Sequence, residues 1–307
     1  MTGSWRKLGQ LYCPPMEPTH PKLVTHAANP VAHHLEGDVF RVFFNGRDPK
    51  QRSSIGAVDI DLQSGQVVQE FDAPFFEHGP EGSFYSNGIS LGNICRINGE
   101  HVLLFMGWEA TDDGRWKGNI GRLAVSPDLN LQLNHPCPLL TAQDVDPISL
   151  SYPWALEQPR GGVQMWYGAT HSWNAGNGEM LHVIHSSTSS DGKRWTRHGQ
   201  VLGHEIGTAQ AFSRPSIVRN ESGSLEMWVS YRGDPADTYK IGYASSEDGE
   251  VWNWQPHEAG ISVSETGWDS EMIEYPFVFD HQGKRWMLYN GNAFGRSGFG
   301  LAVWEQN

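Results

Sequence analysis

Arg41-Val42-Phe43-Phe44-Asn45-Gly46-Arg47-Asp48 is the first of five copies of one phrase, an apolar β-type run that ends in small and polar residues. It returns as Val102-Leu103-Leu104-Phe105-Met106-Gly107-Trp108-Glu109, then as Val163-Gln164-Met165-Trp166-Tyr167-Gly168. The last two copies are Leu225-Glu226-Met227-Trp228-Val229-Ser230-Tyr231-Arg232 and Arg285-Trp286-Met287-Leu288-Tyr289-Asn290-Gly291-Asn292. They start about sixty residues apart, and self-similarity at a fixed period marks repeated supersecondary units. Phe, Trp, Tyr, Val and Met suit a pleated, half-buried surface. A second short run follows each copy, as in Ser54-Ile55-Gly56-Ala57-Val58 and Lys240-Ile241-Gly242-Tyr243-Ala244. An earlier run precedes each, marked by proline in Asn29-Pro30-Val31, Tyr152-Pro153-Trp154, Arg214-Pro215-Ser216-Ile217 and Tyr275-Pro276-Phe277-Val278. In the second copy that slot reads Asn87-Gly88-Ile89-Ser90-Leu91, without the proline. Three strands are thus visible per unit, and a fourth fits the variable stretch before the next.

Short strands with Gly-rich turns, and no helical period over any long window, predict an all-β protein. Four-stranded units repeated radially make a β-propeller, which leaves only short, protected sheet edges. The expected fold is therefore a five-bladed β-propeller, with four-stranded antiparallel blades around a central channel. A sandwich of unrelated hairpins would not repeat one phrase at constant spacing. No linker or low-complexity tract interrupts the repeats, so residues 1–307 read as one domain, with roughly the first 20 as an extension or closure segment.

The formal net charge of −13 disfavours nucleic acid and anionic membranes, which require basic patches. Cys13, Cys95 and Cys137 are odd in number and lack CxxC spacing, so they read as thiols in a reducing compartment. No cofactor and no metal ion is called for. Met1-Thr2-Gly3-Ser4-Trp5-Arg6-Lys7 lacks the apolar core of a signal peptide, and no run is long enough to span a bilayer. The expected location is cytoplasmic. Thirteen Trp and 35 Gly suit aromatic-stacked blades with tight turns, and equally an aromatic-lined sugar site.

Ser189-Ser190-Asp191-Gly192-Lys193-Arg194-Trp195 and Ser246-Glu247-Asp248-Gly249-Glu250-Val251-Trp252 share the pattern S-x-D-G-x-x-W. Asp-Gly favours a tight turn, because Gly accepts positive φ and Asp can bond its own backbone. These read as outer hairpin turns, each packed onto its own blade by the Trp. His182 and His185 lie in one expected strand, where a separation of three puts them on opposite faces, so they read as structural. His171, beside Trp173 in a Gly/Asn-rich loop, is a candidate ligand contact.

In a propeller the first strand of each blade lines the channel, and loops at one mouth form a shared cleft. Candidate binding residues are Asn29, Arg47, Asn87, Trp108, Gln210, Arg214, Arg232, Trp268, Tyr275, Asn290 and Asn292, together with His171 and Trp173. The densest acidic cluster is Trp268-Asp269-Ser270-Glu271-Met272-Ile273-Glu274-Tyr275-Pro276. If extended, Asp269 and Glu271 share one face and Glu274 takes the other. Like-charged neighbours in a cleft raise the pKa of one carboxyl, which suits a general acid near neutral pH. Asp48 and Asp146 are candidates for the base or an orienting carboxylate. Arg47, Arg214 and Arg232 can clamp carboxylates, phosphates or acidic sugars, or can tie neighbouring blades through internal ion pairs.

Phe44-Asn45-Gly46-Arg47-Asp48, Met227-Trp228-Val229-Ser230-Tyr231-Arg232, Tyr239-Lys240-Ile241-Gly242-Tyr243-Ala244, the Trp268–Pro276 segment and Tyr289-Asn290-Gly291-Asn292 with Gly298-Phe299-Gly300 resemble the five-bladed propeller glycoside hydrolases of families 43, 32, 62, 68 and 130. The chain is most similar to a bacterial branch of β-fructosidase/arabinanase-like proteins, over roughly residue 20 to the C-terminus. The resemblance implies carbohydrate substrates and carboxylate catalysis, with an acid–base pair roughly 6.5–9.5 Å apart for inversion or roughly 5 Å apart for retention. The family 43 base, an Asp on the innermost strand of the first blade, is matched here by Asn29. An acidic pair common in the branch is replaced by Tyr85-Ser86, and a Glu four residues before Arg214 is replaced by Gln210.

The expected function is a carbohydrate-active enzyme of glycoside-hydrolase type. It would cleave or transfer a glycosidic or sugar-linked bond with an acid from Asp269, Glu271 or Glu274, and with Trp108, Trp173 or Trp268 as a stacking platform. The alternative is a catalytically inactive glycan- or sugar-nucleotide-binding propeller. A protein-interaction scaffold would not need acids gathered near the channel. The expected partner is a small carbohydrate or sugar-containing metabolite.

Overall fold

The computed structural model describes residues 3–306. They form an all-β structure with almost no helix, whose 20 strands follow the sequence repeats. β1 (Gly3–Tyr12) is an N-terminal strand, followed by the antiparallel sheet β2 (Thr25–Glu36), β3 (Val39–Arg47), β4 (Ser53–Asp61) and β5 (Gln66–Glu70). A second sheet has β6 (Gly88–Ile97), β7 (Glu100–Ala110), β8 (Trp116–Val125) and β9 (Leu131–Gln132). Next come β10 (Ser149–Glu157), β11 (Val163–Ser172), β12 (Leu181–Ser189) and β13 (Thr196–Gln200), then β14 (Ala211–Arg219), β15 (Leu225–Arg232), β16 (Lys240–Ser246) and β17 (Asn253–Trp254). These two antiparallel sets join through a single parallel bridge, His182 to Ala211. The last sheet holds β18 (Glu274–His281), β19 (Lys284–Asn290) and β20 (Phe299–Gln306). β1 pairs antiparallel with β20 and completes it, so the first strand of the chain closes the last sheet.

Each repeated phrase is the second strand of its sheet: β3, β7, β11, β15 and β19. Their apolar residues are buried, as Phe43, Phe105, Trp166, Trp228 and Tyr289 show. The first strands touch in cyclic order: β2 with β6, β6 with β10, β10 with β14, β14 with β18, and β18 with β2. β2, β10, β14 and β18 carry a β-bulge at the slot that the sequence marks with proline, and β6 carries one at Gly92-Asn93, beyond the Asn87–Leu91 stretch read as its slot. Asn29, Tyr152, Arg214 and Tyr275, each preceding a proline, have φ of 53°, 40°, 49° and 52°. Left-handed backbone in such residues costs about 1–3 kcal/mol each and tends to gather at functional sites. Bulges re-aim side chains where a strand meets a site. In β6 the bulge holds Gly92, where a Cβ would run into the Pro153 carbonyl of the neighbouring strand.

The two S-x-D-G-x-x-W motifs form the β12–β13 and β16–β17 turns, with Asp191 Oδ1 and Asp248 Oδ1 accepting backbone N–H bonds. The sequence reading places each turn on its own sheet alone, and the structure corrects this. Each staples its sheet to the preceding one. Trp166 Nε1, on β11, donates to the Gly249 carbonyl at 2.8 Å, and Trp166 and Trp252 meet edge to face. Arg122, on β8, donates to the Gly192 carbonyl at 3.0 Å. Gly249 has φ of +79°, and a Cβ there would lie 2.6 Å from the Trp166 ring. Gly249→Ala is therefore expected to lower stability by about 1–3 kcal/mol, from forced left-handed backbone and a displaced Trp166. Urea unfolding of the variant measures this, and an unchanged midpoint would show that the turn carries no load.

Candidate functional site

A cavity of about 310 Å³ opens where the first strands converge. All five contribute to its wall: Ala28 and Asn29 from β2, Ser90 from β6, Tyr152 from β10, Ser213 from β14 and Tyr275 from β18. The phrase ends add Arg47, Trp108 and Arg232, and the loops add Met180, Tyr239 and Phe294. Asn45, Ser53, Met106, Trp116, His182 and Phe212 complete the lining. The volume suits a small ligand, and the two indole rings are of the type that stacks on a sugar face.

The structure divides the acidic cluster. Residues 264–273 form a loop rather than an extended strand, so its carboxyls do not share a site. Glu271 is exposed and lines a separate groove beside Lys7 and Ser264. Asp269 is buried, with Oδ2 accepting from Lys7 Nζ at 2.7 Å and Tyr289 OH at 3.0 Å. Burial pushes its carboxyl up, but Lys7, Ser264 and Tyr289 outweigh it and hold it below the usual carboxylate range. Glu274 alone of the three reaches the cavity region, through its neighbour Tyr275. It is fully buried, and neither carboxyl oxygen has a hydrogen-bond partner of full geometry. Burial drives its pKa well above the ordinary value, against the pull of Arg47, Arg232, the Tyr275 hydroxyl and Arg214. A shift in that direction favours the protonated form of the carboxyl. Tyr152 OH donates to Tyr275 OH at 3.2 Å, and both rings line the cavity.

Arg214 is also fully buried, but it serves the scaffold. Its guanidinium donates to the carbonyls of Tyr275 and Pro30, each at 2.6 Å, and more loosely to Leu91, Pro276 and Gly92. One side chain thus ties its own strand to β2, β6 and β18. Burial lowers its pKa to about 9, which leaves it cationic at neutral pH.

Of the residues singled out from sequence, Asn29, Arg47, Trp108, Arg232 and Tyr275 line the cavity together. The others stand apart from its lining. Asp48 is buried in the β3–β4 turn, where Oδ1 accepts the Lys50 and Arg52 amides and Oδ2 accepts Arg52 Nε. Asp146 is enclosed by His185, Arg197 and Tyr167. Gln210 is buried and anchors the 174–180 loop through Asn177 and the Glu179 and Met180 carbonyls. That loop carries Glu179, which pairs with Arg232 at 2.8 Å. Asn290 accepts the Asn29 amide at 2.9 Å and donates to the Ala27 carbonyl, which sets the β2 bulge. Asn87 accepts the Ala110 amide, and Asn292 accepts the amides of Glu271 and Met272. Trp268 packs on Tyr289, and Trp173 packs on Trp116, one step outside the cavity. His171 is exposed and bonds His185 at 2.8 Å.

Sequence reasoning missed Asn45, Trp116, Tyr239 and His182. Asn45 was visible within the first phrase, two residues before Arg47. His182 and His185 do face opposite sides of β12, but His182 lines the cavity, held by Ser151 at 2.6 Å and Thr170 at 2.7 Å. Burial pushes its pKa down to about 3, so it is neutral.

Asp146 allows a pH prediction. Burial pushes its carboxyl up, but the hydrogen bonds from His185 and Arg197 outweigh that, and its pKa is lowered. Its stabilisation is therefore present above the unfolded carboxylate value and is lost as pH falls through the lower folded value. Asp146→Asn is expected to cost about 3–5 kcal/mol at neutral pH, because it leaves Arg197 without its partner. The difference from wild type should shrink in acid, as urea titrations at neutral and low pH would read. An equal difference at both pH values would contradict the assignment.

No family model matches the chain. Among solved structures, it is similar to a glycoside hydrolase with a TM-score of 0.75 and 14% identity, covering 98% of this chain and 91% of that one. It is also similar to a structure reported with the glycoside hydrolase family 130 of mannoside phosphorylases, which contains glycoside hydrolases that target β-1,2 mannosidic linkages in Candida mannan. That match has a TM-score of 0.71 at 12% identity, over 99% and 94% of the two chains. The endo-arabinase of Bacteroides thetaiotaomicron matches with a TM-score of 0.62 at 16% identity, over 95% and 97%. At these identities the likeness is one of fold. Two proteins of Mycobacterium tuberculosis, the uncharacterized protein Rv1502 of strain H37Rv and the uncharacterized protein MT1551 of strain CDC 1551, are each 40% identical over 304 residues, covering 98% of this chain and 99% of theirs. With that identity over nearly the whole length, the chain belongs to the family of these two mycobacterial proteins, built on the fold of the propeller glycoside hydrolases.

Proposed function

We propose that this chain is a single five-bladed propeller that acts as a carbohydrate-active enzyme, cleaving or transferring a glycosidic or sugar-linked bond in the cavity at the convergence of its first strands. The cyclic contacts of β2, β6, β10, β14 and β18, and the closure of the last sheet by β1, support the five-bladed reading. Glu274 carries the functional reading. It is a fully buried carboxyl without a full hydrogen-bond partner, its pKa raised by burial, behind a wall of three tyrosines and two arginines. Leaving such a group unsatisfied costs stability, and that cost is explained if the proton is used. In this reading a proton passes from Glu274 through the Tyr275 hydroxyl to the leaving-group oxygen, and the proton shed by the attacking water or substrate hydroxyl goes to solvent, from which Glu274 is reprotonated. The sugar ring rests on Trp108 and Trp116.

Among the described residues that line the cavity there is no Asp or Glu, so water or a substrate oxygen attacks without a carboxylate partner in the wall. That same observation favours a second reading, a propeller that binds a sugar and leaves it intact. Turnover of a panel of disaccharides and alkyl glycosides by wild type and by Glu274→Gln separates the two. Loss of turnover with sugar binding retained supports the enzyme, and binding without turnover in the wild type supports the binder.

A further inference from the structure

The cavity wall carries cationic and amide donors and, among the described residues, no carboxylate. Asn45 is 3% exposed, and its Oδ1 accepts the Leu91 amide at 2.9 Å. That bond fixes the amide orientation and leaves the Asn45 Nδ2 donor buried at the cavity without a partner. Asn29 Nδ2, also buried there, is unpartnered too. Arg47 meets no carboxylate among the described residues, and its side-chain hydrogen bond is a long one, 3.5 Å to Gln51. Arg232 is held by Glu179 and stacked over Tyr239, with its guanidinium carbon 4.8 Å from the ring centre. Cationic and amide donors thus gather around a small cavity in a chain whose formal net charge is −13. Buried donors are normally satisfied, so their ligand must bring acceptors, and guanidinium forks select oxyanions.

We propose that the sugar taken by this site carries an oxyanion, a phosphate ester or a carboxylate, seated among Arg47, Arg232 and the Asn45 amide. This rests on the carbohydrate reading above and specifies the class of sugar. His26 lies next to the wall, and its pKa is lowered to about 3, first by burial and then by Arg47 and Arg296.

Calorimetric titration with glucose, glucose 1-phosphate, glucose 6-phosphate, glucuronate and inorganic phosphate tests this on the full chain. At least one anionic probe is expected to bind about tenfold or more tightly than glucose, and to weaken as salt rises. Arg47→Gln, at a partly exposed side chain with one long contact, should fold normally and lose that preference by about tenfold or more. Preference for the phosphate esters identifies a phosphorylated sugar, and preference for glucuronate identifies a carboxylate. Equal binding of glucose and the anions, no binding of any anion at millimolar concentration, or an unchanged preference in Arg47→Gln would overturn the proposal. Glu274→Gln, titrated in parallel, keeps the anion preference if the acid assignment alone is at fault. Turnover that survives Glu274→Gln would sink that assignment and leave the anion result standing.

Discussion

Glu274→Gln is expected to lower turnover of disaccharides and alkyl glycosides by about 100- to 10,000-fold and, at the same time, to raise stability above neutral pH. Gln keeps the shape of Glu but has no proton to give. The loss should be largest for poor leaving groups, which need protonation, and smaller for nitrophenyl glycosides, whose leaving group departs as a stable anion. The stability gain follows from linkage. Burial raises the native carboxyl pKa well above its ordinary value, so the native state keeps a proton that the unfolded chain releases. The wild type therefore has full stability below the unfolded carboxylate value and loses it progressively as pH rises towards the raised native value. Gln does not titrate and escapes this loss. Melting temperatures of both proteins across about pH 4 to 9, measured beside turnover, test both halves. A variant that loses activity but falls in parallel with wild type as pH rises would show that Glu274 is not held protonated by burial. Activity lost while stability is gained is the trade expected of a group retained for function.

Arg214→Ala is expected to destabilise the protein by about 3–5 kcal/mol or more, enough to prevent accumulation of folded chain. The guanidinium contacts five carbonyls on β2, β6 and β18 and is fully buried itself. Removing it strands those acceptors, at about 1–3 kcal/mol for each one that water cannot reach, and opens a void where three strands face a fourth. Arg214→Lys keeps the charge and most of the length, yet an ammonium lacks the planar fork that spans carbonyls on separate strands. It should recover part of the loss and no more. Urea unfolding provides the measure: an Arg214→Ala protein within about 1 kcal/mol of wild type would mean that the strands converge without this bolt.

The proline slots show how far local pattern reaches. They were legible as first strands, but not as bulges whose left-handed residues turn inwards, and not as having different tasks. Asn29, Arg214 and Tyr275 occupy the same slot in their strands. Asn29 and Tyr275 line the cavity, whereas Arg214 turns its side chain to backbone carbonyls. The slot sets direction, and the neighbours across the ring decide use.

By itself the sequence determined the all-β class, the five repeated units, the second strand of each and the proline-marked slot of four first strands. Alternating burial and turn chemistry are local, and they recur every sixty residues or so. Only the tertiary structure decided which of the buried candidate acids remains unpaired. Asp269 finds Lys7, Asp146 finds Arg197, and Asp48 finds Arg52 and two backbone amides, while Glu274 finds no full partner. The Lys7–Asp269 pair is 262 residues apart in the chain, and the Asp146–Arg197 pair 51. A carboxyl's protonation depends on what surrounds it in space: Asp48 is met within its own turn, but Asp146 is met from 51 residues away and Asp269 from the opposite end of the chain.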